Sequence, residues 1–325
     1  MTLKLSVIMG NYNKAPYIPL MLDSVLNQIR PADEIIIIDD ASTDDSVEVI
    51  SEYLTRHPNI RLIRNAENQG PNRNVSRLIR MVESDIVFFA SSDDLLYPGL
   101  FECGMAMLEA HPEAGLFSAR CDFMDIDDRV IGLMPSPMPL GEPGYLPPHR
   151  CAEALMRDGE WAIGLVTLWN RRRLIEEGGF RTDLGSIADG VVSHKLLLKY
   201  GACFSPQALA AWRRSESGAA WDNSINLDAA RSISDTGKRA MLEAGDLFPP
   251  GYPERWRRRY MFGAKRLRLS ERRKSAARRG LLPHLAARVH EAAMTLWLLL
   301  TLRPQDVVPI IARRLHPANF GKAAR

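Results

Sequence analysis

The run Glu34-Ile-Ile-Ile-Ile-Asp39 constrains this chain more than any other stretch. Four consecutive isoleucines have no polar side to turn to water. Such a segment suits a strand buried on both faces, and strands of that kind belong to parallel sheets covered by helices. The neighbouring sequence repeats the theme. Leu3–Met9, Ile60–Ile63 and Ile86–Ala90 read as further strands, with Pro19–Gln28, Ser42–Leu54 and Asn72–Val82 as helices between them. Ser42 or Thr43 is placed to cap the second of these helices. Strands alternating with helices through short connections predict an α/β fold with a parallel sheet.

In such sheets ligands bind outside the carboxyl ends of the strands. Three polar stretches fall there: Gly10–Asn13, Asp39-Asp40 and Ser91–Asp94. In the last, the apolar run of Ile86–Ala90 leads straight into two adjacent carboxylates, Asp93 and Asp94. Like charges side by side repel, and neither is easily buried without a partner. Asp is also a common turn residue, so one of the pair suits a cap on the following turn. A divalent cation is the other natural partner, since Mg²⁺ or Mn²⁺ takes hard oxygen ligands, often one or two carboxylates plus substrate phosphates.

Beyond residue 103 the pattern is less regular. "CDFMDIDDRVIG" suggests two strands around a turn at Asp127-Asp128. The proline-dense stretch from Pro135 to Pro148 reads as a loop. Leu174–Phe180 ends a helix at a Gly-Gly pair, and Asp189–Tyr200 reads as a helix closed by Gly201, with Asp189 able to act as its N-cap. The four cysteines, Cys103, Cys121, Cys151 and Cys203, form no C-x-x-C pair, which disfavours a zinc site or disulfide scaffold and suits a reducing cytosol. Met1–Met9 has no apolar core of signal-peptide length. No phosphate-binding G-x-x-x-x-G-K-[ST] motif and no H-x-x-x-H spacing is present. His194 reads as a packed or surface residue.

Charge is divided unevenly. From Gly251 onward there are 18 Lys/Arg and 4 Asp/Glu, leaving 24 basic and 35 acidic residues in the rest. The tail should therefore meet something anionic. Three partners are open: nucleic acid phosphates, a membrane leaflet with Trp256, Tyr260, Met261 and Phe262 as interfacial anchors, or the acidic body itself. The apolar segment at Leu296–Leu302 is shorter than the roughly 20 residues a membrane span needs.

Taken in order, "LSVIMGNYNK", "EIIIIDDASTDDSVEVI", "NQGPNRNVSRLI", "DIVFFASSDDLLYPGLF" and "LWNRRRLIEEGGFRTDLGSIADGVVSHKLLLKYG" resemble the family 2 glycosyltransferases. The resemblance covers roughly Leu3–Ser217. It implies a GT-A-like α/β fold, a Rossmann-type mixed sheet flanked by helices, and inverting transfer from a nucleotide-diphospho-sugar. It implies a catalytic domain over 1–220, with a nucleotide-sugar-binding half (1–100) and an acceptor-binding half (101–220). Residues 221–325 then form a basic helical C-terminal extension. By the same resemblance Tyr12 lies against the base, Asp40 bonds base or ribose, and Arg73 faces the donor. Asp93 and Asp94 hold Mn²⁺ or Mg²⁺, with Asp94 the first choice as ligand. Asp189 is the catalytic base, and Trp212-Arg213 closes over the diphosphate. The chain departs from the family pattern at Ser91, Ala188 and Ser215, where Asp, Glu and His are usual.

The expected partners are a nucleotide-diphospho-sugar and a saccharide or lipid-linked saccharide acceptor, as in bacterial surface polysaccharide synthesis. An anionic membrane surface is preferred to nucleic acid for the tail, and self-association stays open. The expected place is the cytoplasm, peripheral at the inner face of the membrane. A sugar nucleotidyltransferase is the alternative enzyme, although "GNYNK" is a poor phosphate loop. A nucleic-acid-binding protein acting through the tail is the alternative from another class.

Overall fold

The structure is a computed structural model that describes residues 2–214 and 226–277, with single positions 289 and 292. Its frame is one sheet. Four parallel strands, β1 (Leu5–Asn11), β2 (Glu34–Asp39), β3 (Ile60–Arg64) and β4 (Ile86–Ser91), lie in the order β3-β2-β1-β4. The isoleucines of β2 behave as their pattern demands. Ile35 and Ile37 enter the core on one face, Ile36 and Ile38 on the other, each at most 1% exposed.

Helices cover both faces. On the side of Ile35 and Ile37 lie α1 (Ile18–Leu26), α2 (Ser46–Arg56) and α4 (Leu100–Ala110). On the other side lie α3 (Pro71–Met81), α5 (Pro148–Asp158) and α7 (Ala188–Tyr200), followed by α8 (Leu227–Glu243) and α9 (Tyr252–Ala277); the short α6 (Arg171–Glu176) precedes α7.

The second half of the sheet is mixed. Beyond β4 come β9 (Leu168–Asn170), antiparallel to both neighbours, then β6 (Leu116–Met124), β10 (Ala202–Arg213) and β5 (Leu95–Leu96). The hairpin partner β7 (Val130–Leu133) joins β6 through a turn in which Asp128 takes φ 63°, and β8 (Gly144–Leu146) pairs with β10. This is the mixed α/β sheet with flanking helices that the resemblance implied.

Three local expectations change. The cap of α2 is Asp45, because Ser42 is drawn instead to Asp39. The proline-dense stretch is not loop to its end: Pro147 and Pro148 open α5, where a missing N–H costs nothing because the first turn has no acceptor for it. Trp256 and Phe262, read as membrane anchors, are 4% and 6% exposed and packed within the protein.

That packing ties the start of the basic tail to the sheet-bearing part. Ala240, Met241, Tyr252 and Trp256 share a hydrophobic core with Leu184, Ile187 and Val191. Ion pairs cross the same junction in both senses: Arg257 of the tail pairs with Asp235, and the tail's Glu254 with Lys238 at 2.5 Å. Among the described residues no helix is long and apolar enough to cross a membrane; Leu296–Leu302 lies outside them.

Gly201, the residue that closes α7, has φ 72° and sits where a methyl group would meet the Leu146 carbonyl and the Tyr145 hydroxyl. Gly201→Ala is expected to destabilise the fold by about 3 kcal/mol, combining backbone strain with overpacking. Urea unfolding should show a lower midpoint at an unchanged slope.

Candidate active site

The carboxyl ends of β1, β2 and β4 meet at one edge of the sheet, and hydrogen bonds knit their loops together. Asp39 at the end of β2 accepts from Asn11 Nδ2 (2.9 Å), from Ser42 N (3.0 Å) and from Ser42 Oγ (2.5 Å). Ser42 Oγ in turn accepts from Asn13 N at 3.0 Å, and Asn13 Oδ1 accepts from Thr43 N at 2.8 Å. Asn13 and Ala41 take φ values of 52° and 64°, which these bonds help to hold. Asp39 thus builds the two loops. Tyr12, 47% exposed between Asn11 and Asn13, is held out at this edge.

Asp40 organises the neighbouring segment. Its Oδ1 accepts from Asn65 Nδ2 and Gln69 N, and its Oδ2 from Gly70 N, each at 2.8 Å. Burial acts to raise its pKa, but these bonds, with a contribution from Asn74, more than offset it and hold the carboxyl below its ordinary value. Arg73 Nη1 donates to Gln69 Oε1 at 2.7 Å, so Asp40 and Arg73 are joined through Gln69. Together with Asn65, Asn74 and Arg77, Arg73 and Gln69 line an open cleft of about 400 Å³ beside Asp40.

Around the Asp pair the geometry is tighter. Asp93 accepts from Lys14 Nζ and Ser91 Oγ, both at 2.6 Å. Burial works to raise the Asp93 pKa, and the Lys14 and Ser91 bonds outweigh it, so this carboxylate stays ionised. Asp94 is 5% exposed and accepts from Arg213 N at 2.9 Å. Burial, and then the charge of Asp93, push its pKa up to about 8. The two neighbours therefore part ways: one is a paired anion, the other a buried acid.

Arg213 is 3% exposed, and its guanidinium points inward. It donates to the carbonyls of Asp93 (2.7 Å) and Asp125 (2.9 Å), pairs with Asp128 (2.5 Å), and lies 4.6 Å from the Tyr17 ring centroid. It locks the β4 turn to the β6–β7 hairpin. Trp212 is 41% exposed, with its ring 5.9 Å from that of Phe123. Ser215 lies outside the described residues.

Asp189 sits in the first turn of α7, against the turn Gly164–Val166, which packs on β4 and β6. The approach is close: a Cβ at Gly164 would lie 2.5 Å from Asp189 Oδ2. Ile187, not Asp189, is the N-cap. Burial first, and then the charge of Glu160, raise the Asp189 pKa above the ordinary carboxylate value, against a hydrogen bond from Gly190 N.

The structure thus brings Asp93, Asp94 and Arg213 into one cluster, links Asp40 with Arg73, leaves Tyr12 at the rim and places Asp189 on a separate helix. Residue-by-residue reading missed Lys14, Tyr17 and Glu160. Each is an ordinary surface residue type in sequence, and each acquires its place from a contact distant along the chain. Asp93 and Asp94 fit the chemistry of Mg²⁺ or Mn²⁺: they are hard oxygen donors, and a nearby divalent charge would favour ionised Asp94. No cluster of three or more potential metal ligands occurs among the described residues. The pair would need water or substrate oxygens to complete a shell.

Residues 6–130 match the family described as Glycosyl transferase family 2. An uncharacterized protein, MT1568 of Mycobacterium tuberculosis, is 29% identical over 217 residues, which are 65% of this chain and 67% of that protein. The poly(ribitol-phosphate) beta-glucosyltransferase of Bacillus spizizenii is 32% identical over 97 residues, 29% of this chain and only 15% of that enzyme. Among solved structures, the mannosyltransferase PcManGT from Pyrobaculum calidifontis, in complex with GDP-Man and Mn²⁺, superposes with a TM-score of 0.61 at 21% identity, covering 97% of this chain and 88% of that one.

Proposed function

We propose, from the match of residues 6–130 to glycosyl transferase family 2, that this protein is a metal-dependent inverting glycosyltransferase. It moves a sugar from a nucleotide-diphospho-sugar to a hydroxyl of a saccharide or lipid-linked saccharide, in the building of a surface polysaccharide. The observation that carries this reading is the placing of Asp93 and Asp94 at the carboxyl end of β4, beside the β1 and β2 ends. The GDP-Man and Mn²⁺ bound to PcManGT support a donor and a divalent cation here, and the glucosyltransferase relative supports a polymer acceptor.

The residues divide the work. Arg73, which lines the cleft beside Asp40, would take the nucleoside together with Asp40 and Tyr12. Asp94 and Asp93 would hold the cation, which when bound supplies positive charge to the diphosphate leaving group. Arg213 keeps the Asp93–Asp94 turn in place from behind, and its diphosphate contact depends on release of one of its present partners. Asp189 accepts the proton of the acceptor hydroxyl as that oxygen attacks the anomeric carbon opposite the diphosphate. A single displacement leaves the anomeric centre inverted. The raised pKa of Asp189 suits a base that works nearer neutrality than an ordinary carboxylate.

Calorimetric titration of UDP, GDP and dTDP, each with and without Mn²⁺, tests the donor half. One nucleotide is expected to bind at least tenfold more tightly with Mn²⁺. Failure of all three to bind, or binding indifferent to the metal, removes the reading.

A further inference from the structure

Glu160 has no part in the roles above, yet its carboxylate stands against the helical turn that carries Asp189. It follows α5 and its capping glycine, Gly159, and projects against the first turn of α7, where a Cβ on Gly190 would lie 3.6 Å from its Oε1. Half of the side chain, 49%, remains open to solvent. The other half is gripped: Oε1 accepts from Trp256 Nε1 at 2.7 Å and lies 3.5 Å from His194 Nε2. His194 is 2% exposed, and its Nε2 is 3.4 Å from the Tyr252 hydroxyl.

The grip is built, not incidental. The Trp256 ring is 4% exposed and fills a place that only glycine permits on α8: a Cβ at Gly237 would come within 2.7 Å of Trp256 Cη2 and 2.5 Å of Ile187 Cδ1. Helix α9 thus delivers an indole N–H to a carboxylate 96 residues away. A rotatable surface glutamate has no intrinsic reason to rest beside another acid, since like charges repel. Trp256 supplies the donor that holds it there, and buried His194 the adjacent imidazole.

We propose that Glu160, fixed by Trp256, is a positioning residue of the transfer site: it forms with Asp189 a carboxylate pair on the acceptor side, and it makes the C-terminal helices a working part of that site. This rests on the reading of Asp189 as the base. The solvent-open half of Glu160 would accept a hydrogen bond from a second hydroxyl of the acceptor and orient the first. An acceptor presenting two neighbouring hydroxyls, as on a sugar ring, is the matching chemistry. The charged group set beside Asp189 is Glu160; His194 and Tyr252 lie beyond it, on α7 and α9.

The test uses the full-length enzyme with Mn²⁺ and the nucleotide sugar carrying the base found by calorimetry. It compares wild type, E160Q and W256F by nucleoside diphosphate release across pH. E160Q is expected to bind the nucleotide within about twofold of wild type, to lose at least tenfold in kcat, and to move the acid limb of the profile to lower pH, because the charge that helps keep Asp189 protonated is gone. W256F keeps an aromatic ring on α9 but donates no hydrogen bond, and should show a weaker loss in the same direction. A second readout needs no turnover. In protein labelled with ¹³C at aspartate Cγ, the resonance removed by D189N should titrate above the ordinary aspartate range in wild type and lower in E160Q. Normal nucleotide binding together with an unchanged E160Q profile and an unshifted Asp189 resonance overturns the role of Glu160 alone. Absence of nucleotide binding in wild type overturns the donor reading, and this one with it.

Discussion

Asp189→Asn is expected to lower kcat by roughly 10²–10⁴-fold, the usual contribution of a positioned general base, while leaving nucleotide affinity within about twofold. The separation follows from placement. Asp189 lies on α7 against Gly164, whereas the cleft beside Asp40 is lined from α3 and the segment before it. The amide is nearly isosteric, so the close fit against Gly164 is kept and the loss is chemical. In wild type the reaction should speed up as pH rises through the raised pKa of Asp189, since only the ionised form accepts a proton. Steady-state kinetics with the bound donor, beside calorimetry on the same preparations, reads both quantities. Turnover within threefold of wild type would take the base away from Asp189.

Asp94→Asn should produce opposite changes in two measurements. Nucleotide binding that depends on Mn²⁺ should be lost, because an amide cannot offer the anionic oxygen the cation needs. The ligand-free fold, however, should become more stable at pH 8. The sign follows from linkage. Folded Asp94 has a pKa of about 8, against roughly 3.9 for an unfolded aspartate. Between those values the folded state holds more protons than the unfolded one, so this group's contribution to stability falls as pH rises. Asparagine carries no such penalty and still offers an oxygen to Arg213 N. Melting curves of the two proteins should nearly coincide at pH 4 and separate by several degrees in favour of the variant at pH 8. Adding Mn²⁺ with nucleotide should raise the wild-type melting temperature alone. A variant less stable than wild type at pH 8 would mean that Asp94 is ionised and compensated within the apo fold.

This opposition has a functional sense under the proposed reaction. The site keeps a buried acid that costs stability when it ionises, and a divalent cation, were it bound there, would offset that cost. Binding of that kind would be sensitive to both pH and metal concentration. Asp93, already paired with Lys14, cannot supply that response by itself.

Sequence pattern was enough to specify the first half of the sheet and the loop edge where the candidate site lies. The limits of β2, Glu34–Asp39, coincide with the apolar run and its flanking charges, because a strand buried on both faces leaves no place for a polar side chain within it. The same periodic logic located α3 to within a residue and marked the loops after β1, β2 and β4. Local pattern decides these features because neighbours along the chain are neighbours in space. Tertiary structure alone decided the rest. Pro147 and Pro148 read as loop until a helix begins there; the antiparallel insertion of β9 between β4 and β6 has no periodic signature; and Arg213, suited in sequence to a phosphate, is turned inward by Asp93, Asp125 and Asp128. Lys14 meets Asp93 across 79 residues, and Trp256 meets Glu160 across 96. Such contacts depend on how sheet and helices pack as a whole, and packing geometry is not carried by any short stretch of residues.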